Sequence, residues 1–313
     1  MRVLVTGAGG FVGGHLRPAL EQRGHDVVPV FSPRRATAEQ LAVDLTDPEV
    51  TARAVAAAWP DAVIHLAARA RPAGLESVQA LLDNNIRATH SLLEGIRCRA
   101  PSARVIIVSS SAVYGAVPVA RNPVVEDEPQ RPVLPYGASK VAVEAVASVY
   151  AAQGLDVVVV RPFNLLGPRQ APEFVAARFA QEIARVATGQ VAERAIETGP
   201  LEPVRDFTDV RDAVRAYVAL IERPTGCGPF NLCSGIPRAV GEVLREMLTL
   251  AGVTVTIRPR SARGTPPGLD VPYQCGSRAA IGTAVGWEPK IAWRETLRDV
   301  LADRGVRAGV DAP

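Results

Sequence analysis

Arg2 to Thr6 reads as a short apolar strand that runs directly into Thr6-Gly7-Ala8-Gly9-Gly10-Phe11-Val12-Gly13 and then into a helical stretch from Gly13 to Arg23. No other segment constrains the fold as tightly. With Gly7, Gly10 and Gly13 three apart, the chain can turn sharply, backbone N–H groups can approach a diphosphate, and the helix can pack closely on the strand. In a strand, turn and helix this spacing implies dinucleotide binding, with Gly7, Gly10, Phe11 and Val12 as candidate cofactor contacts.

The rest of the first half repeats the strand-and-helix alternation. Further strands are expected over Asp26 to Phe31, Ala62 to Leu66, Arg104 to Ser109 and Asp156 to Arg161, and helices over Pro48 to Trp59, Leu75 to Arg97 and Ser139 to Gln153. Such alternation builds a parallel sheet covered on both faces. The fold class is therefore α/β, a doubly wound parallel (Rossmann) sheet with a smaller C-terminal substrate-binding lobe. Residues 1–165 are expected to form the dinucleotide-binding domain, with 203–225 returning to it, and 166–313 mainly the substrate lobe. Arg258 to Pro272, rich in Pro, Gly and Arg, reads as a loop over the active site.

The end of the second strand bears on cofactor choice, because an acidic side chain there accepts both ribose hydroxyls and repels a 2′-phosphate. Phe31-Ser32-Pro33-Arg34-Arg35 stands there instead. With no carboxylate and two guanidiniums, the segment favours NADP, with NAD possible, and makes Ser32 and Arg34 candidate contacts. Asp44 and Leu45, after a third short strand, are placed to meet the adenine edge. Leu66, Ala67 and Ala68 end a strand in residues small enough for the backbone to pass close to the cofactor, while His65 reads as a core histidine.

The chemistry is expected further on. A strand ends in Ser109-Ser110-Ser111, and Tyr136 and Lys140 follow in Tyr136-Gly137-Ala138-Ser139-Lys140. Positions four apart share a helix face. A phenol has a pKa of about 10, and a neighbouring ammonium, with the positive nicotinamide ring close by, is expected to bring it toward the working range. Tyr136 can then exchange a proton with a sugar hydroxyl or ketone, and Ser110 can hold the same oxygen.

Composition excludes several other classes. The net charge of +3 is dispersed along 313 residues without a basic run, so no nucleic-acid partner is indicated. Cys98, Cys227, Cys233 and Cys275 form no CxxC pair and no metal-type spacing with the four histidines. Reduced thiols in a cytoplasmic protein are expected, with no metal, no signal peptide and no membrane span.

At these motifs the chain resembles the extended short-chain dehydrogenase/reductase family, the nucleotide-sugar epimerases, dehydratases and reductases. Val160-Arg161-Pro162-Phe163-Asn164, Val204 to Asp212 and Phe230 to Gly235 extend the resemblance over nearly the whole chain. Arg205 to Asp212 and Asn231 to Gly235 look most like the GDP-4-keto-6-deoxy-mannose reductases. The resemblance implies Ser110, Tyr136 and Lys140 as the catalytic set, Pro162 beside the nicotinamide, and Asn85 as a prop near the cofactor. It also implies Ser110, Ser111, Asn164 and Arg205 on the side of a nucleoside-diphosphate sugar, and a homodimer through the helices Leu75 to Arg97 and Ser139 to Gln153.

Three departures narrow the reading. The acid pair of the dehydratases is replaced by Ser111 and Ala112, which argues against 4,6-elimination for want of a carboxyl group to move the extra proton. The mannose reductases often carry Glu where Ala112 stands. Pro267-Gly268-Leu269-Asp270 and Gly276-Ser277-Arg278 replace the usual C-terminal Arg-Pro and Gly-Asp segments. Three functions stay open: a ketoreductase of a 4-keto-6-deoxysugar nucleotide, an NAD-dependent nucleotide-sugar epimerase, and a non-catalytic dinucleotide-binding scaffold.

Overall fold

The computed structural model describes residues 1–34, 36–70, 78–191, 193–259 and 271–307. The first half alternates β1 (Arg2–Thr6), α1 (Phe11–Gln22), β2 (Asp26–Val30), α2 (Pro48–Ala58), β3 (Ala62–His65), α3 (Val78–Arg99), β4 (Arg104–Val108), α4 (Pro135–Ala152) and β5 (Val157–Pro162). There follow β6 (Asn164–Leu166), α5 (Val175–Ala187), β7 (Ala195–Thr198), β8 (Val204–Asp209), α6 (Val210–Glu222) and β9 (Phe230–Leu232). The chain then forms β10 (Pro237–Ala239), α7 (Val240–Ala251), β11 (Thr256–Pro259), β12 (Tyr273–Gln274), α8 (Ala279–Val285) and α9 (Trp293–Ala302).

The main sheet is parallel, in the order β2-β1-β3-β4-β5-β9. Its strands are near-continuous Val and Ile because both faces are buried, and successive residues supply opposite cores. Val3 and Val5 pack with Leu16 and Leu20 of α1 and Tyr217 of α6, whereas Leu4 packs with Val55 of α2, Leu92 and Ile96 of α3, and Val143 of α4. Local signals fix the helix starts. Asp47, for example, caps α2 by accepting hydrogen bonds from the N–H groups of Glu49 and Val50 at 2.9 and 3.0 Å, with Pro48 next in line. The expected third short strand survives as a single parallel bridge between Phe31 and Ala42.

A smaller lobe follows. β8 is flanked by β6, β10 and β12, β11 runs parallel to β7, and α5, α7 and α9 close a third core around Phe179, Ile183, Met247 and Leu297. The helix expected from Ser139 begins earlier, at Pro135, and so takes in Tyr136. The helix expected from Leu75 is described from Val78. Arg258 and Pro259, expected in a loop, instead pair with Glu197 and Thr198, and Arg258 forms an ion pair with Glu193. The alternation of Thr254, Thr256 and Arg258 with Val255 and Ile257 suits a strand, and Val255 and Ile257 pack on the lobe's core. Residues 260–270 of that expected loop lie outside the described residues.

Candidate active site

In a parallel sheet the segments leaving the C-terminal strand ends gather at one edge, where the strand order changes direction. Three of those segments carry the expected site: the turn after β1, the stretch after β3, and the serines after β4.

The glycine turn is required by its neighbours. Gly7 has φ +71°, and a Cβ on it would sit 2.9 Å from the Ala67 nitrogen. At Gly13 a Cβ would fall 2.5 Å from the Gly7 carbonyl oxygen and 2.7 Å from the Ala8 Cα. The turn closes through a 2.9 Å hydrogen bond from the Gly10 N–H to the Gly7 carbonyl. No side chain caps the N-terminus of α1, which leaves its first N–H groups free for an anion. Phe11 and Val12 open that helix. Leu66 and Ala67 pass over the turn, the Leu66 N–H donating to the Thr6 carbonyl and the Ala67 N–H to the Thr6 hydroxyl, each at 3.3 Å. Ala68 follows next along the chain.

His65 is a core histidine. Its Nδ1 lies 2.8 Å from Thr6 Oγ1 and its Nε2 lies 3.1 Å from Thr89 Oγ1, and burial, with the Lys140 charge adding to it, pushes its pKa down to about 3. Asn85 of α3 takes the neighbouring position. It accepts from the Arg69 N–H at 2.8 Å and donates to the Arg69 carbonyl and to Ser139 Oγ at 3.0 Å, and Ser139 donates to the Tyr136 carbonyl at 2.7 Å. The stretch after β3 is thereby tied to the first turn of α4.

Ser110 follows β4 and opens a single 3₁₀ turn, Ser111–Val113, accepting a hydrogen bond from the Ala112 N–H at 3.2 Å. It also hydrogen-bonds the half-buried Tyr136 phenol. Lys140 shares that helix face, with its Nζ 5.9 Å from the centre of the Tyr136 ring, but it donates to the Val108 carbonyl at 2.7 Å.

Lys140 by itself does not lower the Tyr136 pKa. Burial pushes the phenol up to about 12, with the Ser110 hydrogen bond opposing, and burial pushes Lys140 down to about 8, with Glu144 opposing. Desolvation disfavours both charged forms and is the largest influence on each. Tyr136 is thus held protonated, the form that gives up a proton.

Beneath this pair lies a buried polar network that the sequence reading missed. Arg161 of β5 donates to Glu144 through Nε and Nη2 at 2.9 and 2.7 Å, and through Nη1 to the Tyr114 hydroxyl at 2.8 Å. Tyr114 donates on to Asn231 at 2.7 Å, and Ser109 and Gln130 both donate to Glu144. The signal was present: Tyr136, Lys140 and Glu144 recur every four residues and share one face of α4.

On the side of the second lobe, Asn164 donates to the Asp206 carbonyl at 3.3 Å, and half-buried Arg205 donates to the Val204 carbonyl at 2.9 Å. Asp206, fully buried, gathers the N–H groups of Ser234, Gly235 and Gly276 at 2.8, 2.9 and 3.3 Å. Ser111 is buried and gives its hydroxyl to Gln274 at 3.1 Å. Pro162 ends β5 opposite Leu232. Ser32 and Arg34 are exposed, Arg35 lies outside the described residues, and Asp44 is turned into its own loop, accepting from the Thr46 N–H and hydroxyl at 3.0 and 2.7 Å. Among the described residues no group of three or more His, Cys, Asp or Glu side chains can hold a metal, no helix is long and apolar enough to cross a membrane, and the four cysteines are free.

A doubly wound sheet with a glycine turn, a serine-bonded tyrosine and a lysine one turn on defines an extended short-chain dehydrogenase/reductase. Residues 3–233 match the model of the NAD dependent epimerase/dehydratase family, and the chain belongs to that family. It is 33% identical over 307 residues to a GDP-6-deoxy-D-mannose reductase of Pseudomonas aeruginosa, covering 96% of each chain. It is 30% identical to a UDP-glucose 4-epimerase of Azospirillum brasilense, covering 98% of this chain and 96% of the relative. Two solved structures have the same fold over 97% of this chain and 99% of their own. RMD from Pseudomonas aeruginosa complexed with NADPH has a TM-score of 0.85 at 31% identity, and the UDP-glucose 4-epimerase of Thermus thermophilus in complex with NAD has 0.84 at 30%.

Proposed function

We propose that the protein is an NADP-linked ketoreductase that reduces the 4-keto group of a 6-deoxysugar carried on a nucleoside diphosphate. The observation that carries this reading is the protonated Tyr136 phenol bonded to Ser110, with no carboxyl group at Ser111 or Ala112 to remove a further proton. The likeness to a GDP-6-deoxy-D-mannose reductase and to a structure complexed with NADPH supports it.

The cradle suits a dinucleotide: the space that a Cβ on Gly7 or Gly13 would fill is taken by backbone, and the N-terminus of α1 is uncapped. When bound, the nicotinamide supplies the hydride. Tyr136 donates its proton to the carbonyl oxygen as that carbon becomes an alcohol, and Ser110 hydrogen-bonds the same oxygen. Lys140, buried and anchored on the Val108 carbonyl, restores the proton to Tyr136. Asn164 and Arg205 hold the diphosphate, a role for which a guanidinium fork is suited.

A second reading, an epimerase that retains NAD and returns the hydride to the other sugar face, is favoured by the likeness to UDP-glucose 4-epimerases over nearly the whole chain. One experiment separates the two. Purified protein is tested for bound NAD, then offered NADPH or NADH with a panel of keto and hydroxy nucleotide sugars, and the products are read by absorbance and mass. Stoichiometric NADPH consumption with a keto sugar supports reduction, whereas tightly held NAD with redox-neutral isomerisation overturns it.

The same reading includes a homodimer. Ala145 and Val149 of α4 are exposed, and Val149 rims a hollow between α3 and α4 with His90, Glu94 and Tyr150. Val141 instead packs inward beside Val113. Four free cysteines suit the reducing cytoplasm.

A further inference from the structure

A cavity of about 360 Å³ opens between the glycine turn and the end of β2, walled by Gly9, Arg17, Glu21, Phe31, Gln40 and Arg169. Phe31 follows directly on the last residue of β2, where an acidic side chain would meet the ribose hydroxyls of NAD. Arg17, on α1, places its guanidinium 5.7 Å from the centre of the Phe31 ring.

Among the described residues Arg17 has no polar partner there. Its Nε is buried and makes no hydrogen bond, and among the described residues it forms no ion pair, Glu21 one turn on included. Arg169 closes the other side, donating to the Gly14 carbonyl at 3.4 Å, likewise with no ion pair among the described residues. A buried donor left unmade is costly and is normally satisfied by something. A dinucleotide lying along the turn places its adenosine ribose at the end of β2, and a phosphate on the ribose 2′-oxygen then enters this cavity. A dianion with acceptor oxygens matches two guanidiniums that form no ion pair among the described residues, with Glu21 the one carboxylate on the cavity wall.

We infer that Arg17, assisted by Arg169, is the residue that selects NADP by binding its 2′-phosphate. Arg34, the candidate from the sequence, is exposed to solvent and lines no part of this cavity. Phe31 acts by exclusion, since it removes the carboxylate and supplies a flat face for the Arg17 guanidinium. The inference rests on the NADP reading above.

The test is direct binding to the full-length protein, by calorimetry, of NADPH, NADH, 2′-AMP and 5′-AMP. In the wild type, NADPH and 2′-AMP are expected to bind more tightly than NADH and 5′-AMP. Arg17→Met is expected to weaken NADPH and 2′-AMP by about 10- to 100-fold while leaving NADH within about twofold. Unchanged NADH binding also reports that the variant is folded. Should Arg17→Met bind neither dinucleotide, Arg17→Lys, which keeps the cation but not the fork, decides by losing part of the NADPH preference or none. A wild type that prefers NADPH and an Arg17 variant that keeps the preference overturn the role of Arg17 and leave the cofactor reading standing. A wild type that prefers NADH overturns both.

Discussion

Arg161 and Glu144, the latter one turn along α4 from Lys140, form a buried ion pair with side-chain exposures of 6% and 9% and donor–acceptor distances of 2.9 and 2.7 Å. Such pairs contribute little net stability while intact, and breaking one leaves a charge in low dielectric. Glu144→Ala is expected to cost about 3–5 kcal/mol in urea unfolding. Replacing both residues by methionine is expected to cost much less, because no charge is then stranded. Equal losses in the two variants would count against this account.

The titration of Lys140 sets a pH window. Its folded pKa of about 8 lies below its ordinary 10.5, so between these values the unfolded chain holds a proton that the folded one has released. The unfolded state binds more protons there, and this group's contribution to stability therefore rises with pH across that window. Reduction has the opposite slope, since Lys140 without its proton cannot recharge Tyr136. The rate is expected to decline above about pH 8, and Lys140→Met to be slow and flat over the same range, as read from pH–rate profiles. Glu144→Gln, which removes the charge that favours the ammonium, is expected to move the decline to lower pH.

Tyr136 itself, with its pKa near 12, stays protonated throughout that range. Tyr136→Phe is expected to lower turnover by about 10²- to 10⁴-fold. Dinucleotide affinity, measured by fluorescence titration, should change by less than about threefold, because the glycine turn and α1 are untouched.

Two glycines with nearly the same backbone separate strain from collision. Gly7 and Gly24 have φ of +71° and +79°, yet a Cβ on Gly7 meets backbone at 2.9 Å and one on Gly24 meets nothing within 4 Å. Gly24→Ala is expected to cost about 1 kcal/mol, the left-handed penalty alone. Gly7→Ala should cost distinctly more and abolish dinucleotide binding, since the Ala67 segment must move away.

Val149, 55% exposed on α4, tests the proposed homodimer. Val149→Glu is expected to shift the mass measured by light scattering from twice the chain mass to 33.1 kDa with the unfolding midpoint of the monomer otherwise kept. An unchanged mass would place any interface elsewhere.

The parts legible in the sequence are those set by local chemistry. The Gly7-Gly10-Gly13 turn, the apolar runs of β4 and β5 and the spacing of Tyr136 and Lys140 each follow from neighbours along the chain. Features that depend on distant segments were not readable. The Tyr136 pKa lies above its ordinary value because of burial, which no motif encodes and which the Ser110 hydrogen bond only partly opposes. The alternation from Thr254 to Arg258 is local, but its pairing of Arg258 with Glu197 is not, and the pair of Arg161 with Glu144 joins β5 to a helix whose periodicity alone does not name a partner. Nothing along the chain sets Arg17 apart on α1; its surroundings, Phe31 and Arg169, come from two other stretches.

The grip of Asp206 on Ser234, Gly235 and Gly276 carries a consequence for how such a protein changes its substrate. Those donors come from two separate stretches of chain, and Arg205 is the residue before Asp206 on the same strand. The segments around Arg205, proposed above to face the substrate, are therefore bolted to a single carboxylate and cannot be reshaped one at a time. New specificity must arise by exchanging side chains on a frame that stays put, and a lengthened or shortened rim would first have to find another anchor for that carboxylate.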